Sequence, residues 1–243
     1  FSSNLNDFTS NMLDGTEVGT ISYDAGVNGF GAVFDGVSSA VDVGNVFNIG
    51  LSDYSFSCWV KTGERTASDG DQYIISKGRI STAPGSYSIG VSGGEDGGTI
   101  FARLTWDSGE ALYTGNKHVD DDAWHHIVCT FDRDEKLTIY VDGVVDTAYV
   151  IIDKCDVPIT SSDPFIFGAI TAADGIGCES FYDGILDNAR VYGKALSYPE
   201  IVVLYGEKHP AMLAWYPLGA NAEDASGNDL DGLLAGPTPI AGL

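Results

Sequence analysis

Leu137-Thr-Ile-Tyr-Val141-Asp142-Gly143-Val144-Val145 is the stretch that decides the fold. Its first five residues are mostly β-branched, aromatic or aliphatic, which suits a strand. Asp142-Gly143 supplies the positive φ angles of a tight two-residue turn, and the valines start a return strand. The segment is therefore an antiparallel hairpin, and the rest of the chain repeats its vocabulary. Upstream lie Phe56-Ser-Cys-Trp59-Val, Tyr73-Ile-Ile-Ser, Tyr87-Ser-Ile-Gly-Val91, Ile100-Phe-Ala-Arg-Leu-Thr-Trp106 and His126-Ile-Val-Cys-Thr-Phe131. Downstream lie Phe165-Ile-Phe-Gly and Gly184-Ile-Leu-Asp-Asn-Ala-Arg-Val-Tyr192. Asp-Gly pairs recur at Asp14-Gly15, Asp35-Gly36 and Asp183-Gly184, and are read as further turns. Many short strands with turn signals between them predict an all-β sandwich or barrel.

One helix interrupts the pattern. Ser197-Tyr-Pro-Glu200 carries a capping hydroxyl, a proline in the first turn and a glutamate three residues on. It predicts a two-turn helix near residues 198–205, with Gly206 available to end it. Lys208-His-Pro210 reads as a linker, and Met212-Leu-Ala-Trp215-Tyr216 as another strand.

The chain nearly repeats itself. Asn4, Asp7, Asn11, Leu13, Asp14, Gly15 and Gly19 match Asn221, Asp224, Asn228, Leu230, Asp231, Gly232 and Gly236, with Thr9 matched to Ser226, all at one offset of 217. Self-similarity at a fixed period marks a tandem array, here of whole domains. The expected organisation is a sandwich over residues 1–207, followed over 208–243 by a linker and the first strand and turn of a second copy. In that alignment Phe1 falls on Leu218, so residues 212–218 are a candidate for completing the first sheet. The start at Phe1 reads as that of an excised or processed segment.

Composition narrows the partners. Of 243 residues, 44% are hydrophobic, enough for a packed core, and 31 are glycine, which suits tight turns. The formal charge is −23, and Asp (26) far outnumbers Glu (9). A nucleic-acid backbone or an anionic bilayer calls for the opposite sign, so neither is an expected partner. No run approaches the roughly 20 apolar residues that span a membrane. Cys58 and Cys129 fall inside strands and read as small apolar side chains, their pairing left open. Cys155 and Cys178 flank a loop-rich stretch and are a candidate disulfide.

These motifs, in order, resemble the laminin G-like, pentraxin-like domains of the concanavalin A-like lectin superfamily. The resemblance rests on Trp215-Tyr-Pro-Leu218, Asp224 to Asn228, Phe34 to Val37, Phe56 to Val60, Trp124 to His126, Leu137 to Gly143, and Gly184 to Tyr192. It implies two curved antiparallel sheets in the concanavalin A-like jelly-roll arrangement, in a secreted or cell-surface protein. It also implies a calcium ion near the Asp-rich turn. The expected ligands are Asp7, Asn11 and Asp14, their copies Asp224, Asn228 and Asp231, and Asp187 from the penultimate strand. Calcium takes six to eight oxygens, which such a turn can supply. The same residues are also good turn formers that satisfy their own backbone.

Catalysis has little support. Glycanases need two carboxylates flanking the scissile bond, and no Glu-x-Asp-x-Glu run occurs. Trp124-His125-His126 puts its histidines on opposite faces of a strand, a structural reading. Sugar binding needs an aromatic ring near acids or amides, and Trp106, Asp107, Tyr113, Asp174 and Tyr182 are the candidates. The expectation is a calcium-dependent, carbohydrate-binding, non-enzymatic module. The alternatives are a spacer or protein-binding repeat of an adhesin, and a polysaccharide-degrading enzyme or its accessory module.

Overall fold

The structure is a computed structural model that describes residues 4–66, 68–79, 85–94, 97–106, 109–151, 156 and 158–207. Among these residues it forms two antiparallel seven-stranded sheets packed face to face. The first sheet runs from edge to edge as β1 (Thr16–Val18), β4 (Ala40–Asp42), β13 (Phe165–Phe167), β6 (Gln72–Lys77), β7 (Tyr87–Val91), β8 (Thr99–Trp106) and β9 (Gly109–His118). The second runs as β12 (Val144–Val150), β11 (Lys136–Val141), β10 (His125–Phe131), β5 (Tyr54–Lys61), β16 (Asp183–Tyr192), β3 (Phe30–Asp35) and β2 (Ser22–Ala25).

The pleat sorts each strand between two surfaces. Along β5, Tyr54, Phe56, Cys58 and Val60 enter the core between the sheets, whereas Trp59 faces out. Along β8, Ile100, Ala102 and Leu104 enter the core, leaving Phe101, Arg103 and Thr105 on the outer face. The inner side chains form one continuous apolar cluster that includes Phe34, Phe131, Ile139 and Phe165. Burying each such side chain fully contributes about 1.5–3 kcal/mol, which is what holds the layers together.

The 137–145 hairpin forms as read: Asp142 and Gly143 take φ of 54° and 74° and join β11 to β12. The other Asp-Gly pairs do not make hairpins. Asp35 lies at the end of β3, and its Oδ1 accepts the backbone N–H groups of Val37, Ser38 and Ser39. That self-bonded corner lets the chain cross from the second sheet to β4 in the first. Asp183-Gly184 lies inside β16, and Asp14-Gly15 leads into β1.

On one flank the sheet edges are stitched by side chains. Tyr149 Oη donates to the Thr114 carbonyl at 2.6 Å, and the Asp146 carboxylate accepts the Asn116 and Lys117 N–H groups at 2.7 and 3.0 Å. The helix α1 (Tyr198–Gly206) covers the outer face of the second sheet, with Leu196 and Ile201 packed on Val128 and Tyr140. Tyr205 stacks on Trp59 at 5.7 Å. A short hairpin, β14 (Ile170–Thr171) with β15 (Cys178–Glu179), lies instead on the outer face of the first sheet, against β6.

Candidate functional site

The outer face of the first sheet gathers polar side chains that the core does not use. Phe101 and Tyr73 form its floor, edge to face at 5.3 Å, with Ile170 of β14 against them. Gly90 sits between them on β7, because a Cβ there would lie 2.6 Å from Phe101 Cζ. Arg103 extends above Phe101, its guanidinium carbon 5.9 Å from the ring centre. Two carboxylates hold that guanidinium, Glu110 at 3.3 Å and Asp71 at 3.5 Å.

Three atoms here are buried and have no hydrogen-bond partner among the described residues: Tyr73 Oη, Arg103 Nε and Thr171 Oγ1 of the overlying hairpin. Burial pushes the Tyr73 phenol well above its usual range, against the pull of the nearby Arg103 charge. It is therefore a neutral hydroxyl at any physiological pH, able to donate or accept.

From Arg103 a narrow seam continues past Ser88, Thr105 and Ser86 to Arg79. Thr105 Oγ1 donates to Ser86 Oγ at 2.8 Å. At the far end Arg79 makes a two-pronged pair with Asp163 at 3.0 and 3.1 Å, which raises its already high pKa. Lys77 Nζ donates to the Asp163 carbonyl and to Asn45 at 2.6 Å each, and burial lowers its pKa to about 8. The seam thus offers two guanidinium groups, hydroxyls between them and an aromatic floor. Its hydroxyls and guanidinium groups can hydrogen-bond a polar ligand, while the Tyr73 and Phe101 rings are buried.

Of the sequence-predicted residues, the structure brings Asp174 to this seam. It sits in the β14–β15 turn, where Gly175 approaches Arg79, and its carboxylate accepts the Ile176 N–H at 2.8 Å. Trp106 lies at the end of β8 but packs over Gly109 and against the core. Tyr113 faces the Tyr149 ring across the stitched edge, at 5.1 Å. Tyr182 is fully buried, edge-on to Phe34, with its hydroxyl on the Lys61 carbonyl, so it presents no face to a ligand. Asp107 lies outside the described residues, as does Cys155 of the Cys155–Cys178 pairing.

The metal set is split. Asp7 Oδ1 accepts the Thr9 N–H, and Oδ2 accepts the Thr9 hydroxyl and the Leu13 N–H, bonds that hold its pKa below the usual value. Asp14 Oδ1 accepts the Asp7 N–H at 2.8 Å, and Asn11 lies on the same exposed turn. These bonds close the turn on itself. Asp187 belongs to the second sheet, buried, accepting the N–H groups of Asn28 and Asn188. No group of three His, Cys, Asp or Glu side chains among the described residues is arranged to hold a metal. Asp224, Asn228 and Asp231 lie outside the described residues.

The paired histidines are structural. His126 Nε2 meets Ser57 Oγ at 2.9 Å beneath α1, between Trp59 and Tyr205, and burial lowers its pKa to about 4. His125 bonds Asp142 and Asp121. Sequence reasoning missed Tyr73, Arg79, Arg103 and Glu110 as site residues. The available signal was Arg103, a charge inside an otherwise apolar strand, in step with Phe101 and Thr105.

The family model described as the concanavalin A-like lectin/glucanases superfamily, of laminin G type, matches residues 35–202. No curated protein sequence matches. Among solved structures, the binding domain of Paraclostridial Mosquitocidal Protein 1 aligns with a TM-score of 0.68 at 16% identity, covering 93% of this chain and 53% of that one. Domain 4 of AbnA, an extracellular arabinanase from Geobacillus stearothermophilus solved in complex with arabinotriose, aligns with a TM-score of 0.62 at 20% identity, covering 83% and 93%. The binding domain of Botulinum Neurotoxin DC, solved in complex with SialylT, aligns with a TM-score of 0.64 at 15% identity, covering 92% and 51%. The chain therefore spans about half the length of the toxin binding domains it matches. At these identities the likeness is one of fold.

Proposed function

Because the chain belongs to the concanavalin A-like lectin/glucanases superfamily, we propose that it is a non-catalytic carbohydrate-binding module of a secreted or cell-surface protein, with its ligand along the Arg103–Arg79 seam. The observation that carries this reading is Arg103, clasped by Asp71 and Glu110 over an aromatic floor, beside the unpartnered hydroxyl of Tyr73. Carboxylates and guanidinium groups together can accept from and donate to sugar hydroxyls. That two of the similar structures hold sugars supports the choice of ligand. Supporting recognition without turnover is the use of these acids: Asp71 and Glu110 share one guanidinium and do not stand across a free gap as an acid and a nucleophile would. The calcium part of the proposal rests on the Asp-rich turn, Asp7, Asn11 and Asp14, and its copy Asp224, Asn228 and Asp231, whose carboxylate and amide oxygens suit a hard cation.

The test is a glycan array that includes arabino-oligosaccharides and sialylated oligosaccharides, followed by titration calorimetry with Arg103→Ala. The variant should bind at least about tenfold more weakly, equivalent to about 1.4 kcal/mol, with an unchanged circular dichroism spectrum. Repeating both in excess chelator isolates the ion. A lowered melting midpoint supports calcium, and an unchanged one removes it while leaving the seam. No hits on the array returns the module to a spacer or protein-binding role, and released sugar on incubation would make it an enzyme.

A further inference from the structure

Two guanidinium groups in one seam suggest an anion receptor, but the groups around them point the other way. Arg79 Nε and Nη2 donate to the two carboxylate oxygens of Asp163 at 3.0 and 3.1 Å. Asp163 is buried and held in turn: its Oδ2 accepts the Ser161 hydroxyl, and its N–H donates to the same Ser161 oxygen. A buried pair is screened little by salt, so an incoming anion finds Arg79 already neutralised. Arg103 is shared by Glu110 and Asp71. Lys77 is fully buried and directs its ammonium to Asn45 and the Asp163 carbonyl.

The β14–β15 hairpin over the seam adds acid and no base. Asp174 lies in its exposed turn beside Gly175, where an added Cβ would sit 2.8 Å from Arg79 Nη1. Glu179 pairs in register with Ile170, which lines the seam. Among the described residues, the five carboxylates of Asp71, Glu110, Asp163, Asp174 and Glu179 outnumber the three cations Lys77, Arg79 and Arg103. The buried groups without a hydrogen-bond partner among those residues include two neutral hydroxyls, Tyr73 Oη and Thr171 Oγ1. Arg103 Nε is another, but its guanidinium is the one that Asp71 and Glu110 neutralise. Hydrogen-bonding capacity is open here, while positive charge is not.

We propose that the seam selects uncharged sugars and excludes acidic ones, uronates and sialylated glycans among them. This selectivity rests on the seam being the carbohydrate site. A ligand carboxylate would reach Arg103 only by displacing Asp71 or Glu110, and Arg79 only by displacing Asp163. One ion pair would replace another, and the displaced acid would stay beside the newcomer as a like charge, with Asp174 and Glu179 adding to the repulsion. A sugar hydroxyl needs no such exchange. It can donate to the remaining lone pairs of Asp71 and Glu110, whose side chains are 37% and 50% exposed, and leave the Arg103 pairs intact. Discrimination of this kind comes from repulsion built against the wrong ligand.

The test is an array of matched neutral and acidic glycans, with galactotriose beside trigalacturonate, lactose beside sialyllactose, and arabinotriose, probed with the full chain and with Arg103→Ala. Every hit that Arg103→Ala abolishes should be an uncharged glycan, and its acidic counterpart should bind at least about tenfold more weakly. Raising sodium chloride from about 0.05 M to about 0.5 M should narrow that gap, because screening weakens the repulsion. Glu110→Gln, which removes one acid from Arg103, should shift the acidic-to-neutral binding ratio by about tenfold toward the acid. Asp174→Asn, on the exposed turn, should shift it the same way. A misfolded variant would weaken both members of a pair alike, so the ratio reports selectivity and not stability. An acidic glycan bound through Arg103 as tightly as its neutral counterpart overturns the exclusion and leaves the seam as the carbohydrate site. An unchanged ratio in both Glu110→Gln and Asp174→Asn overturns it too. No hit that depends on Arg103 removes the seam itself as the site, and this selectivity with it.

Discussion

His125 and His126 are neighbours in sequence and opposites in physics. The hydrogen bond to Asp142 raises the His125 pKa, helped by Asp121 and opposed by burial. Burial would raise Asp142, but bonds from His125, Lys117 and the His126 backbone outweigh it and hold the carboxyl well below its usual range. A histidine with a raised pKa stabilises the fold fully below its ordinary value of about 6.5, and loses that contribution as pH climbs through the raised one. His126 carries the opposite sign. Burial lowers it to about 4, so the unfolded chain takes up its proton first, and stability falls as pH drops below about 6.5. The melting midpoint should therefore peak near pH 6.5 and fall by a few degrees toward both pH 5 and pH 9. His125→Gln should flatten the alkaline limb and leave the acidic one. A wild-type curve flat from pH 6.5 to 9 would show that the His125–Asp142 clasp does not contribute.

Element α1 shows how local signals and packing divide the labour. Ser197 and Glu200 form the capping box, with the Glu200 carboxylate accepting both the Ser197 N–H and its hydroxyl, at 2.9 and 2.7 Å. The Lys194 ammonium pairs with the other Glu200 oxygen, and that pairing with the Ser197 bonds lowers the Glu200 pKa to about 2. A nine-residue helix is too short to hold itself in water, so its stability comes from the face it buries. Ile201 is the fully buried residue of that face, set against Val128 and Tyr140. Ile201→Ala should cost about 2–4 kcal/mol in urea unfolding. Val203→Ala, at an exposed position, should cost well under 1 kcal/mol, and equal losses would mean that α1 does not pack as described. The helix was legible because capping chemistry is local, and the 137–145 hairpin was legible for the same reason. Asp35-Gly36 was not, because the same two residues serve a hairpin or a corner, and only the sheet membership of β3 and β4 decides which. The Arg103 seam was likewise hidden. Asp71 meets Arg103, and Asp163 meets Arg79, from parts of the chain far apart in sequence, and alternation says which way Arg103 points but not what it meets.

At the scale of the whole molecule, the charge is the dominant long-range term. With 35 acids against 12 bases, the folded chain gathers a net −23 that the unfolded chain spreads over a larger volume. Part of the acidity is already spent locally: Asp35, Asp69 and Asp7 each cap a turn, their carboxyls held below the usual range by backbone N–H groups. Those bonds are short-ranged and little affected by salt. The repulsion among the remaining exposed carboxylates is not, since the screening length shrinks from about 10 Å at 0.1 M salt to about 3 Å at 1 M. Sodium chloride should therefore raise the melting midpoint steadily over that range, by several degrees. Attractive ion pairs weaken with salt too, but those at the surface, such as Lys61–Asp122 and Lys136–Glu135, each contribute little. The net slope is therefore set by the unpaired excess of acid. Comparing sodium chloride with millimolar calcium chloride at matched ionic strength separates general screening from a bound ion. Equal midpoints assign the whole effect to screening, and a higher midpoint in calcium assigns the remainder to binding. A midpoint that fell as sodium chloride rose would mean that attractive pairs, not self-repulsion, govern the electrostatics of this sandwich.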